Sequence, residues 1–266
     1  MSGPIGIFDS GVGGLTVYRA IHEQCPEEDL IYLGDTARLP YGTKSKETVV
    51  RYSMKNVEFL LQRGIKLLVI ACNTASALAL DEIREAVDIP VIGVVEPGAQ
   101  AAAETTRGGA IGVIATESTI SSGAYDRAIR ALRPNARISS RACPLFVPLA
   151  EEGWIDNLVA HEAARLYLEP FRFEGIDTLV LGCTHYPLLR DTIAEAVGPA
   201  VTLVDSAAEA ALAVHEKLQL QENRRISTWG SGEKHFFVTD DSDRFRRVAE
   251  RFLGAEIEQL EKVDII

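Results

Sequence analysis

Lys66-Leu67-Leu68-Val69-Ile70-Ala71-Cys72-Asn73-Thr74 is a short apolar run that stops on three small polar residues. A run this brief and this uniformly apolar is a strand buried on both faces, and the residues after it open a helix. The pattern returns 111 residues later, from Cys72 to Cys183, as Thr178-Leu179-Val180-Leu181-Gly182-Cys183-Thr184-His185. A second pair of strand ends shows a similar offset of 106 residues, from Gly6 to Gly112: Ile5-Gly6-Ile7-Phe8-Asp9-Ser10 and Ile111-Gly112-Val113-Ile114-Ala115-Thr116. Two similar offsets in one chain predict two related α/β halves.

Outward from these strands, Leu30 to Leu33 running into Gly34-Asp35, and Val91 to Val95, extend the first half, and the pattern restarts after Pro97. Val201 to Asp205 is the last strand of the second half. Between strands the spacing turns helical: Ser45 is a cap, Val50, Met54, Val57 and Leu61 form an apolar stripe, and Arg63-Gly64 is a stop. The tail predicts a helix from Ser206, a strand around His235 to Thr239, and a helix on Phe245, Val248, Ala249 and Phe252 that packs back on the first half. The expected fold is therefore α/β, with two similar parallel-sheet domains related by a pseudo-twofold repeat and the active site in the cleft between them. Residues 1–96 with 207–266 form one domain and 97–206 the other. Gln219 to Lys234 is the most loop-like stretch.

Composition narrows the function. The chain has 266 residues, 47% hydrophobic and 24% charged, with a net charge of −11. That is an ordinary globular balance, long enough to fold without disulfides or a structural metal. An acidic surface repels nucleic acid and anionic membranes, and Arg224-Arg225 is a loop charge pair rather than a nucleic-acid patch. No apolar stretch is long enough to span a bilayer, and the N-terminus lacks the pattern of a signal peptide. The four cysteines, Cys25, Cys72, Cys143 and Cys183, then read as free thiols in a reducing cytoplasm. With no C-x-x-C pair among them, no metal site is expected.

In open α/β sheets ligands bind beyond the carboxyl ends of the strands. Four such points are polar: Asp9-Ser10, Cys72-Asn73-Thr74, Thr116 with Thr119, and Cys183-Thr184-His185. Gly11-Val12-Gly13 begins like a dinucleotide fingerprint, but Thr16 replaces the third glycine and Asp9 repels a pyrophosphate. Backbone N–H groups at that helix start suit a carboxylate instead. Cys72 and Cys183 each end a buried strand and open a helix, where a thiol ionises more readily. One thiol on each side of a bound molecule can take a proton from one face of a carbon and return one to the other. Cys25 and Cys143 precede prolines outside any strand end and read as structural or surface thiols.

Phe8-Asp9-Ser10-Gly11-Val12-Gly13-Gly14, Pro40-Tyr41-Gly42, Ala71-Cys72-Asn73-Thr74-Ala75 and Gly182-Cys183-Thr184-His185-Tyr186-Pro187 resemble the signatures of bacterial glutamate racemase. Thr116-Glu117-Ser118-Thr119, Ser122-Gly123-Ala124-Tyr125 and Pro148 to Gly153 resemble that family's second-domain segments. The match runs in order from about Ile5 to Asp205. It implies interconversion of L- and D-glutamate without a cofactor, supply of D-glutamate for peptidoglycan, and a homodimer. It places the two bases on Cys72 and Cys183, with Asp9, His185 and Glu151 assisting. Substrate contacts transfer to Asp9, Ser10, Pro40, Tyr41, Gly42, Asn73, Thr74, Thr116, Thr119, Thr184 and His185. Domain mapping sets Cys72 against D-glutamate and Cys183 against L-glutamate. Other roles stay open for three of these: a helix cap for Asp9, a core histidine for His185, and a solvated surface residue for Glu151. Two other functions compete: a related racemase acting on aspartate, and a two-lobed protein that binds an anionic amino acid without turning it over. The short N-terminus also predicts that activation by a peptidoglycan precursor, seen in family members with an extension there, does not operate.

Overall fold

The computed structural model describes residues 3–220, 232–240, 243–257 and 259–265; Arg224-Arg225 and most of the loop-like stretch lie outside them. Four strands come first: β1 (Ile5–Asp9), β2 (Leu30–Gly34), β3 (Leu67–Ile70) and β4 (Val91–Gly93). Four more follow in the middle of the chain: β5 (Ala110–Ala115), β6 (Arg137–Ala142), β7 (Thr178–Gly182) and β8 (Thr202–Asp205). The tail adds β9 (Lys234–Val238) and β10 (Leu260–Lys262). The strands form two sheets, β10-β9-β2-β1-β3-β4 and β6-β5-β7-β8, and every pairing is parallel. The order β2-β1-β3-β4 is thus repeated as β6-β5-β7-β8, the duplication that the two offsets predicted. β9 docks on β2, so the tail does return to the first sheet.

Burial follows from the patterning. All five residues of β1, all of β3 and all of β7 are buried, as parallel strands covered by helices on both faces must be. Ser45 caps the helix Lys46–Leu61, accepting a hydrogen bond from the Thr48 amide. That helix buries Val49, Ser53, Asn56, Val57 and Leu60, not the stripe of Val50, Met54 and Leu61. The true inner face includes two polar residues, and Asn56 is there because its amide reaches the Tyr41 hydroxyl at 3.2 Å.

Three other expectations are corrected. Val94 and Val95 are not strand: β4 stops at Gly93 and a helix, Val95–Thr105, starts two residues before Pro97, which its first turn accommodates. Cys143 directly follows β6, so it does sit at a strand end. β6 escaped notice because its residues are only half buried and carry no apolar run. Finally, Cys183 does not open an α-helix; a turn and the short 3-10 segment Tyr186–Leu189 intervene before the helix Arg190–Val197.

Candidate active site

The register of the sheets decides which side chains meet. Ile70 lies level with Phe8, which brings Cys72, two residues on, level with Ser10. Gly182 lies level with Ala115, which sets Cys183 beside Thr116. The carboxyl ends of β1, β3, β5 and β7 thereby converge on a cavity of about 200 Å³. It is lined by Ser10, Pro40, Tyr41, Gly42, Cys72, Asn73, Thr74, Thr116, Glu151, Cys183, Thr184 and His185 among others. The volume is below the roughly 300–1,000 Å³ of sites for drug-sized ligands, and suits a small metabolite. Both thiols are buried, free, and open onto this one space.

Two glycines let the halves approach. A Cβ on Gly13 would lie 2.3 Å from Thr184 Oγ1 and 2.5 Å from His185 Nδ1. A Cβ on Gly42 would lie 2.8 Å from that of Thr116. Hydrogen bonds then stitch the cleft. Thr74 Oγ1 lies 3.0 Å from Thr116 Oγ1 and 3.1 Å from Thr119 Oγ1, and Ser118 donates to the Gly42 carbonyl at 2.8 Å. Thr16 donates to the Thr184 carbonyl at 3.1 Å.

Cys72 is the N-cap of the helix Asn73–Ala86, its sulfur accepting from the Ala75 amide at 3.5 Å and facing Ser10 Oγ at 3.7 Å. The helix start does not make it acidic. Burial pushes the thiol up to about 12, the Asp9 carboxylate adds to the rise, and the Ala75 and Ser10 contacts offset only part of it. Asp9 lies behind the cavity wall rather than in it: Oδ2 accepts from the Gly11 amide at 2.9 Å, and the carboxylate also meets the amide of Gly14, the N-cap residue of the helix Leu15–Gln24. Burial raises the Asp9 carboxyl as well, against the pull of His185.

The opposite wall is electrostatically different. His185 directs Nδ1 at Cys183 Sγ, 3.8 Å away, and Nε2 at Glu151 Oε1, 3.2 Å away. Burial alone would discharge the ring, but its contacts with Cys183 and Glu151 outweigh that and raise it to about 10. An imidazolium with an acceptor at each nitrogen is fully paired. His185 is therefore neither an idle core histidine nor, with it, is Glu151 a merely solvated residue.

Some expected contacts are made by other means. The Tyr41 hydroxyl is committed to Asp35 and Asn56, so only its ring and backbone face the cavity. The Asn73 amide spans the halves instead, accepting from the Tyr125 hydroxyl at 2.6 Å and reaching Ser206 Oγ at 3.5 Å. Thr119 is buried behind Thr116 and, like Asp9, does not line the cavity. Sequence reasoning missed Asp35, although a signal existed: it follows the buried strand β2 as Ser10 follows β1. Asp35 also accepts from Arg38 and Thr239, each at 2.9 Å, which anchors the Pro40–Gly42 loop to the tail of the chain.

The family model for Asp/Glu/hydantoin racemases matches residues 5–214. The chain belongs to that family. A glutamate racemase from Geobacter metallireducens is 57% identical over 261 residues, covering 98% of this chain and 96% of the relative. Among solved structures, a glutamate racemase isoform from Bacillus anthracis superimposes with a TM-score of 0.93 at 43% identity, covering 99% of this chain and 98% of that one. A glutamate racemase from Francisella tularensis in complex with D-glutamate gives 0.92 at 39% identity, covering 98% and 97%. An aspartate racemase homologue from Pyrococcus horikoshii, at 18% identity and a TM-score of 0.59, shares the fold alone.

Proposed function

We propose that this chain is a cofactor-independent glutamate racemase that moves the α-proton between Cys72 and Cys183. The observation that carries the reading is the pair of thiols, delivered by equivalent strand ends of two duplicated sheets to one small cavity. The α-hydrogen of an amino acid is a poor acid, because its removal loads charge onto a carboxylate that is already negative. Catalysis therefore rests on donors aimed at that carboxylate and on a site closed to water. Ser10, Thr74, Thr116 and Thr184 offer hydroxyls, and the backbone amides after Ser10, Cys72 and Cys183 offer N–H groups.

Two bases must hold opposite protonation states in each half of the cycle, and they titrate as one coupled unit. The resting asymmetry supports this. Burial and the Asp9 carboxylate hold Cys72 as a thiol, whereas Cys183 has the His185 imidazole 3.8 Å from its sulfur in place of a carboxylate. With L-glutamate, Cys183 takes the proton and Cys72 delivers one to the other face. D-glutamate requires the reverse assignment, Cys72 taking the proton and Cys183 delivering one, with Asp9 the electrostatic neighbour of Cys72 and His185 that of Cys183. The product D-glutamate serves peptidoglycan synthesis, in the cytoplasm, and the active form is a homodimer. Among the described residues no helix is long and apolar enough to cross a membrane.

Incubating the purified protein with L- or D-glutamate, without added cofactor, and following circular dichroism tests the reading. Either enantiomer decays to the racemate, and aspartate does not. Turnover of aspartate alone, or binding of glutamate with no loss of ellipticity, contradicts it.

A further inference from the structure

Among the described residues, none from the last helix, Asp243–Leu253, lines the cavity, yet two consecutive residues of it reach the His185–Glu151 pair. Phe252 is fully buried and sets its ring edge-to-face against the imidazole, centroids 5.2 Å apart and planes at 78°. Arg251 donates from Nη1 to the Glu151 carbonyl at 2.7 Å. Its guanidinium also lies over Gly153, so close that a Cβ there would stand 2.6 Å from Cζ. Gly153, at φ +75°, closes the helix Phe146–Glu152 that carries Glu151. Phe245, Val248, Ala249 and Phe252 fasten the last helix into the same core as the helix Leu15–Gln24.

We propose that Phe252 and Arg251 are positioning residues for the His185–Glu151 pair, Phe252 holding the plane of the imidazole and Arg251 the helix end that carries Glu151. The inference rests on Cys183 being one of the two bases. Its physical basis is that the ring's own polar contacts all lie at or beyond the long end of hydrogen-bonding range, 3.8 Å from Nδ1 to the Cys183 sulfur, 3.5 Å from Nδ1 to Thr184 Oγ1 and 3.2 Å from Nε2 to the carboxylate, and leave its tilt weakly restrained. An edge-to-face neighbour in a packed core supplies the missing restraint. The titratable groups facing His185 are Asp9 from β1, Glu151 from the helix Phe146–Glu152, and Cys183 from the end of β7. The last helix adds Arg251, whose hydrogen bond goes to a backbone carbonyl, so its part is to place the pair.

The test compares Phe252→Leu and Arg251→Ala with the parent protein in racemisation kinetics, melting temperature and the NMR titration of His185. A misplacement of about 1 Å in a catalytic group costs up to about a hundredfold. The expected result is a kcat lower by about ten- to a hundredfold with little change in KM. The His185 midpoint is expected to fall from about 10, because the loosened ring loses contacts that raise it while the burial that lowers it stays. Arg251 is exposed, so its variant folds even where loss of the Phe252 ring does not permit folding. Parent-like kcat and midpoint in both variants overturn the proposal. So does a kcat that falls only in step with the folded fraction while the midpoint stays. The titration is read without turnover, so an error in the substrate shows separately, as no racemisation by the parent protein.

Discussion

Replacing either Cys72 or Cys183 by serine is expected to abolish most racemisation in both directions while leaving the fold intact. Both thiols are needed in every turnover, one as base and the other as acid, so neither can compensate for the other. General acid–base groups contribute about a hundred- to ten-thousandfold, and each variant should lose activity in that range. Folding is spared for a local reason. Serine is nearly isosteric, and at position 72 its oxygen can take over the N-cap contact with the Ala75 amide, a role serine fills well. Steady-state kinetics from both enantiomers, beside thermal melts, check the outcome. Either variant retaining activity within about tenfold of the parent would place that thiol outside the range expected of an acid–base group.

Gly13→Ala is expected to be nearly as damaging, although the added methyl group carries no chemistry. Its Cβ would stand 2.3 Å from Thr184 Oγ1 and 2.5 Å from both Cε1 and Nδ1 of His185. These separations are well inside van der Waals contact, so the second sheet's strand end must shift away from the first. The atoms displaced are the ones that hold Cys183 and its imidazole. Overpacking costs about 1–3 kcal/mol of stability, and the displacement of catalytic groups costs about a hundredfold in kcat. Kinetics and a melting curve check both effects. A variant with parent-like kcat would mean that the two halves do not meet as closely as Gly13 allows.

The pattern of what was legible follows from range. β1, β3, β5 and β7 could be read directly because parallel strands covered on both faces must be continuously apolar, and the polar residues that end them fall at the ligand edge. Their duplication made two isolated cysteines into a pair. β6 could not be read, since a half-buried edge strand such as Arg137–Ala142 carries no such run. Val94 and Val95 misled because their β-branched character outweighed the fact that Pro97 fits a helix's first turn. The stripe on Lys46–Leu61 shifted because Asn56, polar by type, is buried by its partner Tyr41. The effect of the helix start on Cys72 was visible in sequence, but the opposing burial and the Asp9 carboxylate behind it were not. Arg251 and Phe252 lie about a hundred residues beyond Glu151, and nothing local in their helix announces the carbonyl or the imidazole they meet.

The two-base assignment is tested most directly by running the reaction in D2O and stopping it early. Both thiols exchange with solvent, so the group that delivers the proton carries deuterium while the group that removed one holds the substrate's own hydrogen. Starting from L-glutamate, the D-glutamate formed should carry deuterium at the α-carbon while the recovered L-glutamate carries essentially none. The mirror result should hold from the D enantiomer. Deuterium entering the recovered substrate as fast as it enters the product would mean that a single base serves both faces, and would contradict the account.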